Sequence, residues 1–174
     1  YSDKNFFSSK QLRLNFRKTH KINKSDIIFG YAGRYAKQKN IPNLLLAFSK
    51  IIKNYNNVYL YMAGKDINSQ NKELITYSNK LKIEKKVFFL NEQKSLLKFY
   101  NGIDLLILTS HSESFPNVIA ESMLCSTPVL SSDAGCSKII INDYGFILGK
   151  NDYQSIFKNM NKVINFFMNN KSEW

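Results

Sequence analysis

From Asp26 onward, short apolar runs alternate with longer amphipathic ones. Ile27 to Tyr31 is almost unbroken apolar sequence ending in Ala32-Gly33, the pattern of a buried strand. Pro42 then stands where a helix would begin. The run through Lys53 has apolar residues at Leu44, Leu45, Ala47, Phe48, Ile51 and Ile52, which is helix spacing with proline near its first position. The same reading predicts strands at Val58–Ala63, Val87–Leu90, Asp104–Thr109, Pro128–Ser131 and Phe146–Leu148. It predicts helices at Asn71–Leu81, Ser95–Tyr100 with Gly102 as its breaker, Asn117–Leu124 behind Pro116, and Asp152–Met168.

Strands alternating with helices at this pitch predict an α/β domain, with a parallel sheet of about six strands covered by helices on both faces. Ligands in such sheets bind at the carboxyl ends of the strands. The loops at 32–41, 64–70, 91–95, 110–116 and 132–137 are therefore where function is sought. The basic segment 1–24 reads as a connection, and residues 25–174 as the domain.

Composition changes this picture little. Hydrophobic residues at 44% and aromatic residues at 14% exclude a disordered chain. The longest apolar run is about seven residues, against the roughly 20 of a membrane-spanning helix. The chain begins at Tyr1 with a polar stretch, and reads as a fragment of something longer. Cys125 and Cys136 make neither a metal spacing nor a disulfide framework, and read as reduced thiols in a cytoplasmic protein.

Charge changes it more. Lys and Arg number 25 against 13 acidic residues, a net charge of +12 that calls for an anionic partner. Residues 4–24 carry Lys4, Lys10, Arg13, Arg17, Lys18, Lys21 and Lys24 without an acidic residue. A general Lys, Asn and Ile bias accounts for part of the excess.

The first loop, Gly33-Arg34-Tyr35-Ala36-Lys37-Gln38-Lys39-Asn40, is neither a dinucleotide fingerprint nor a P-loop. It does put Arg34, which can fork onto phosphate oxygens, and Lys39, a point charge, at a strand's carboxyl end. Solvated surface cations are the alternative. The fourth loop, Ser110 to Glu121, holds Glu113 just after a buried strand and Glu121 about one turn into the next helix. That helix start offers backbone N–H groups to a phosphate or a hydroxyl. Two carboxylates bracketing Ser114-Phe115-Pro116-Asn117 suit a ligand rich in hydroxyls. Helix capping for Glu113 and a solvated position for Glu121 are the plainer readings. His111 is a polar ligand contact or a half-buried loop residue, and His20 carries no signal.

Three motifs in order carry a resemblance: Gly33-Arg34-x4-Lys39, Glu113-Ser-Phe-Pro-Asn-Val-Ile-Ala-Glu121-Ser-Met, and Pro128-Val-Leu-Ser-Ser-Asp133-Ala-Gly135. Over about residues 25 to 168 the chain resembles the carboxy-terminal domain of group 1 (family 4) retaining glycosyltransferases. These have a GT-B fold, two Rossmann-like domains facing across a cleft. The resemblance implies Arg34, Lys39 and Glu113 as catalytic residues, with the two cations on the donor diphosphate and Glu113 on the transferred sugar. It implies donor binding by Gly33, by Ser114, Phe115, Pro116, Asn117 and Val118, by Glu121 on the ribose, and by Asn91, Gln93 and Lys94 along the base. Asn40, Asp66, Asn91 and Ser126 stand where members often have glycine. Lys138 replaces a frequent glutamate and receives no role.

The resemblance further implies a UDP- or GDP-sugar donor, no metal and no other cofactor. The implied activity is hexosyl transfer with retention, by same-face attack assisted by the departing phosphate. The expected acceptor is a glycan or a lipid-linked molecule of bacterial surface polysaccharide or lipopolysaccharide synthesis. It would bind a preceding domain absent from this chain, so the isolated domain is expected to be inactive. The charge suits peripheral work at an anionic inner membrane face. A nucleic-acid-binding module is the competing reading. It is disfavoured because the aromatic residues fall in apolar runs and form no stacking strip. A nucleotide-sugar epimerase of related fold is the other, weakly disfavoured by the Pro128–Gly135 segment.

Overall fold

The computed structural model describes residues 5–169. Lys4 of the basic segment, and residues 170–174 of the expected domain, lie outside them.

Six parallel strands form one sheet in the order β3-β2-β1-β4-β5-β6. The strands are β1 (Ile27–Ala32), β2 (Val58–Ala63), β3 (Val87–Phe89), β4 (Leu105–Leu108), β5 (Val129–Ser132) and β6 (Phe146–Leu148). The helices are α1 (Lys10–Thr19), α2 (Ile41–Asn54), α3 (Lys72–Leu81), α4 (Leu97–Gly102), α5 (Asn117–Leu124), α6 (Ser137–Ile141) and α7 (Tyr153–Asn169). A single 3-10 turn, Lys37–Lys39, precedes α2. Among the described residues no helix is long and apolar enough to cross a membrane.

Successive residues of a strand point to opposite faces, and two cores result. Phe29, Tyr31, Leu60, Met62, Leu105 and Ile107 pack under α2, α3 and α7. Ile28, Ala32, Tyr61, Leu106, Leu108 and Val129 pack under α1, α4, α5 and α6. The expected parallel sheet with helices on both faces is therefore present.

Boundaries differ where side chains intervene. Strand β4 is shorter than the expected Asp104–Thr109 by one residue at each end, and the side chains of both end residues are held by neighbouring segments. The Asp104 carboxylate pairs with Arg13 and Arg17 and also accepts from Ile28 N at 2.7 Å. The Thr109 hydroxyl donates to the Lys39 carbonyl at 2.9 Å. Gly102, expected to break α4, is its last residue.

Helices α1 and α6 went unpredicted. Basic residues dominate α1, yet Ser9 caps it by accepting from Leu12 N at 3.3 Å, and Phe16 is buried. The segment read as a connection thus contributes to the second core. Two of its cations, the part-exposed Arg13 and the buried Arg17, share the one Asp104 carboxylate, so the charge of this segment is partly engaged within the protein. The rings also cluster more than expected: Tyr61 stacks on Phe88 at 4.6 Å and meets Phe16 edge-on at 5.9 Å. Tyr61 and Phe16 are buried, so this row holds α1 to the sheet with Phe88 at its open end.

Each position where glycine was expected is left-handed: Asn40 at φ 54°, Asp66 at 63°, Asn91 at 60° and Ser126 at 59°. Asn and Asp adopt this region at reduced cost, and serine does so less readily. Ser126→Gly is expected to stabilise the domain by about 0.5 kcal/mol, relief of strain outweighing the added freedom of the unfolded chain. A thermal melt should shift up by about 1–2 °C. Asn40→Gly should shift it down, because the Asn40 amide donates to the Asn151 carbonyl at 2.8 Å and its oxygen accepts from Asn43. A lower melting temperature for Ser126→Gly would show the strain account to be mistaken.

Candidate functional site

The strand order reverses direction between β1 and β4, which are neighbours in the sheet. The connections after these strands leave on opposite faces, so a crevice opens at their carboxyl ends. The two loops flanking it carry Arg34 and Lys39 on one side and Glu113 on the other.

The crevice brings Lys39 and Glu113 together. Lys39 Nζ is ion-paired with Glu113 Oε1, and Ser110 Oγ donates to the same oxygen at 2.6 Å. Both charged side chains are largely buried, 14% and 13% exposed. Burial raises the strength of such a pair and the cost of losing one member. The backbones are stitched together as well, with His111 N donating to Gln38 O at 2.7 Å. Asn151, just before α7, ties both loops down: its amide donates to Thr109 O at 2.8 Å and Ser110 O at 3.1 Å, and its carbonyl accepts from the Asn40 amide at 2.8 Å. His111 is exposed, and its ring Nδ1 lies 3.5 Å from the Asn151 amide nitrogen.

Arg34 is exposed and forms no ion pair among the described residues. Its carbonyl accepts from the buried Tyr31 phenol at 3.3 Å. Burial, and secondarily the Glu113 carboxylate, push the Tyr31 pKa well above its ordinary value, so that phenol stays a neutral donor. Gly33 N donates to Ala63 O, and Gly64 N to Asn91 O, each at 2.9 Å. The loops after β1, β2 and β3 are thereby laced in a row. Asn91 is exposed at its end, followed by the exposed Gln93 and Lys94, with Gln93 bonded back to Leu90 O.

Helix α5 begins with no side-chain cap; Asn117 N and Ile119 N donate to Phe115 O and Pro116 O, each at 3.0 Å, so a ligand at this helix start meets the dipole end and N–H groups partly engaged by the loop itself. Ser114, Phe115 and Asn117 are exposed, Pro116 is buried and Val118 is half-buried. Gly135 presses against this loop: a Cβ there would lie 2.1 Å from Glu113 O, at φ 58°. Glu121 lies outside the Lys39–Glu113 group. The Tyr100 phenol on α4 donates to Glu121 Oε2 at 2.8 Å. Nearby, the Cys125 thiol is pushed up to about 11, chiefly by burial and also by the Glu121 carboxylate, against a backbone hydrogen bond from Phe7 that lowers it. That keeps it protonated, as a buried thiol.

The crevice thus offers two cations, a carboxylate among hydroxyls and an uncapped helix start, a set suited to a diphosphate joined to a polyol. The sequence reading missed Ser110, Tyr100 and Asn151. Each reads as loop or core filler, and only the fold reveals its partner.

The model of the family described as glycosyl transferases group 1 matches residues 13–167. The capsular polysaccharide biosynthesis glycosyltransferase CapM of Staphylococcus aureus is 29% identical over 152 residues, 85% of this chain and 39% of CapM. HepE of Anabaena, solved in complex with UDP-glucose, superposes with a TM-score of 0.82 at 22% identity, covering 97% of this chain and 47% of HepE. The C-terminal domain of the group 1 glycosyl transferase LpcC from Francisella tularensis superposes at 0.80 with 21% identity, covering 95% of this chain and 88% of that domain. The chain therefore spans less than half the length of CapM and of HepE.

Proposed function

This chain belongs to the group 1 glycosyl transferases, and on that footing we propose that it is the donor-binding half of a hexosyltransferase. The observation that carries the reading is the Lys39–Glu113 pair at the β1/β4 crevice, beside Arg34 and the uncapped start of α5.

In this reading Arg34 and Lys39 bind the diphosphate of a nucleotide sugar. As the glycosidic bond breaks, negative charge grows on that diphosphate. The two cations and the α5 start stabilise it where it forms. Glu113 accepts hydrogen bonds from the sugar hydroxyls, and the backbone of Ser114 to Val118 assists. Glu121 holds the ribose, and Gly33 with the Asn91–Lys94 turn lies along the nucleotide. The departing phosphate guides the acceptor to the same face, giving retention. A UDP-sugar is the first candidate, because HepE was solved with UDP-glucose. The acceptor, a surface glycan or its lipid-linked precursor, binds a separate domain of the kind the longer relatives have room for. CapM, a capsular polysaccharide enzyme by name, supports that choice.

Isothermal titration of the chain with UDP, GDP, UDP-glucose and GDP-mannose tests this. Saturable binding of one nucleotide and its sugar is expected, without glycosyl transfer by the domain alone. A folded chain that binds none of the four would refute the reading.

A further inference from the structure

We infer that Tyr100 is a positioning residue for nucleotide recognition, fixing the Glu121 carboxylate so that it selects a ribonucleotide. The inference rests on the donor-site reading above, and on a contact which that reading does not use.

Tyr100 is fully buried, and its phenol donates to Glu121 Oε2 at 2.8 Å. A buried tyrosine hydroxyl needs an acceptor, and a backbone carbonyl would serve. Here the acceptor is instead the carboxylate assigned to the ribose. The donor is held rigidly. Tyr100 N donates to Leu96 O at 2.9 Å within α4, and Thr127 Oγ1 donates to Tyr100 O at 2.7 Å. The Tyr100 ring also packs on Phe99, centroids 5.8 Å apart. Glu121 lies on α5, which packs against α4. A glutamate on a helix surface samples several rotamers, and binding must freeze one of them. A charge-assisted bond from an immobile phenol sets the carboxylate plane before the ligand arrives. A carboxylate accepts at about four lone-pair positions, so the phenol does not exhaust it. Two vicinal ribose hydroxyls are donors that one carboxylate can take together.

Titrating UDP and 2′-deoxy-UDP into wild type, Tyr100→Phe, Glu121→Ala and the double variant tests this, with GDP and 2′-deoxy-GDP used if guanine is the base bound. Wild type should prefer the ribonucleotide by about tenfold, and Tyr100→Phe should lose most of that preference while folding normally. In the Glu121→Ala background, Tyr100→Phe should change nothing further. Unchanged ribose preference in Tyr100→Phe would overturn the inference while leaving the donor site intact. Equal loss in both Glu121 backgrounds would mark Tyr100 as merely structural. Wild type that binds nucleotide without ribose preference removes the role of Glu121, and wild type that binds none removes the donor reading itself. Should Tyr100→Phe not fold, Glu121→Asp carries the test, since its shorter side chain cannot reach both phenol and ribose. A wild-type ratio there overturns the proposal.

Discussion

Gly64→Ala is expected to destabilise the domain by about 3 kcal/mol and to lower its melting temperature by about 10 °C. A Cβ at position 64 would lie 2.0 Å from Gly33 O, 2.5 Å from Gly33 C and 3.2 Å from Arg34 N. Those are backbone atoms, so no side chain can swing aside. Gly33 cannot simply retreat either, because its N–H is bonded to Ala63 O at 2.9 Å. The φ of Gly64, 146°, is itself one that residues with a side chain rarely adopt. The loops after β1 and β2 must therefore separate, and Arg34 moves with the first of them. UDP affinity should fall more than tenfold at temperatures where the variant is still folded, since a phosphate clamp tolerates little displacement. Thermal melts followed by titration at 10 °C would check both parts. A melting temperature within 1–2 °C of wild type would mean that the close approach is not real.

The layers of the fold were legible because burial leaves a simple trace. Strands β2 and β6 and helix α5 appear within the expected bounds, since each is an apolar run or an amphipathic repeat cut by Gly, Pro or charge. The strand order was not legible. Nothing in the sequence of β4 says that it lies beside β1, yet that neighbour relation opens the crevice and brings Lys39 to Glu113. Helix α1 stayed hidden because its exposed face is cationic and overwhelms the Leu12 and Phe16 spacing. Its partner, Asp104, lies 91 positions from Arg13. The departures from glycine proved more informative than they looked. Asn40, Asp66, Asn91 and Ser126 keep the left-handed backbone although each carries a side chain. At Asn40 that side chain is put to use, binding the first loop to Asn151. Site residues supplied by motif order were readable, whereas residues that act on other residues were not. Tyr100 sits among the apolar residues of α4, and only its hydroxyl distinguishes it from core.

Lys39→Met should weaken UDP binding by about a hundredfold, the loss of one charge-assisted phosphate contact in a partly dry site. Glu113→Gln should behave differently, and the sign of the difference is diagnostic. Lys39 is engaged by Glu113, so the diphosphate must compete with a carboxylate for the ammonium. Replacing that carboxylate with a neutral amide removes the competitor. UDP itself should then bind as well as to wild type or up to several-fold more tightly. UDP-glucose should lose its advantage over UDP, because the group that accepts its sugar hydroxyls is now half donor. The fold should register the pair asymmetrically too. Lys39→Met leaves Glu113 with only the Ser110 hydroxyl, which should cost about 1–2 kcal/mol, less than for a fully buried pair because some solvent remains. Glu113→Gln keeps an acceptor for Ser110 and should cost less than about 1 kcal/mol. Titrations of the two variants with UDP and UDP-glucose, beside their thermal melts, decide the matter. If Lys39→Met holds UDP within about twofold of wild type, the ammonium does not meet the diphosphate. If Glu113→Gln lowers UDP and UDP-glucose affinity equally, the glutamate shapes the loop rather than reading the sugar. The opposed responses expected here follow from one geometric fact, that the cation and the carboxylate contact each other.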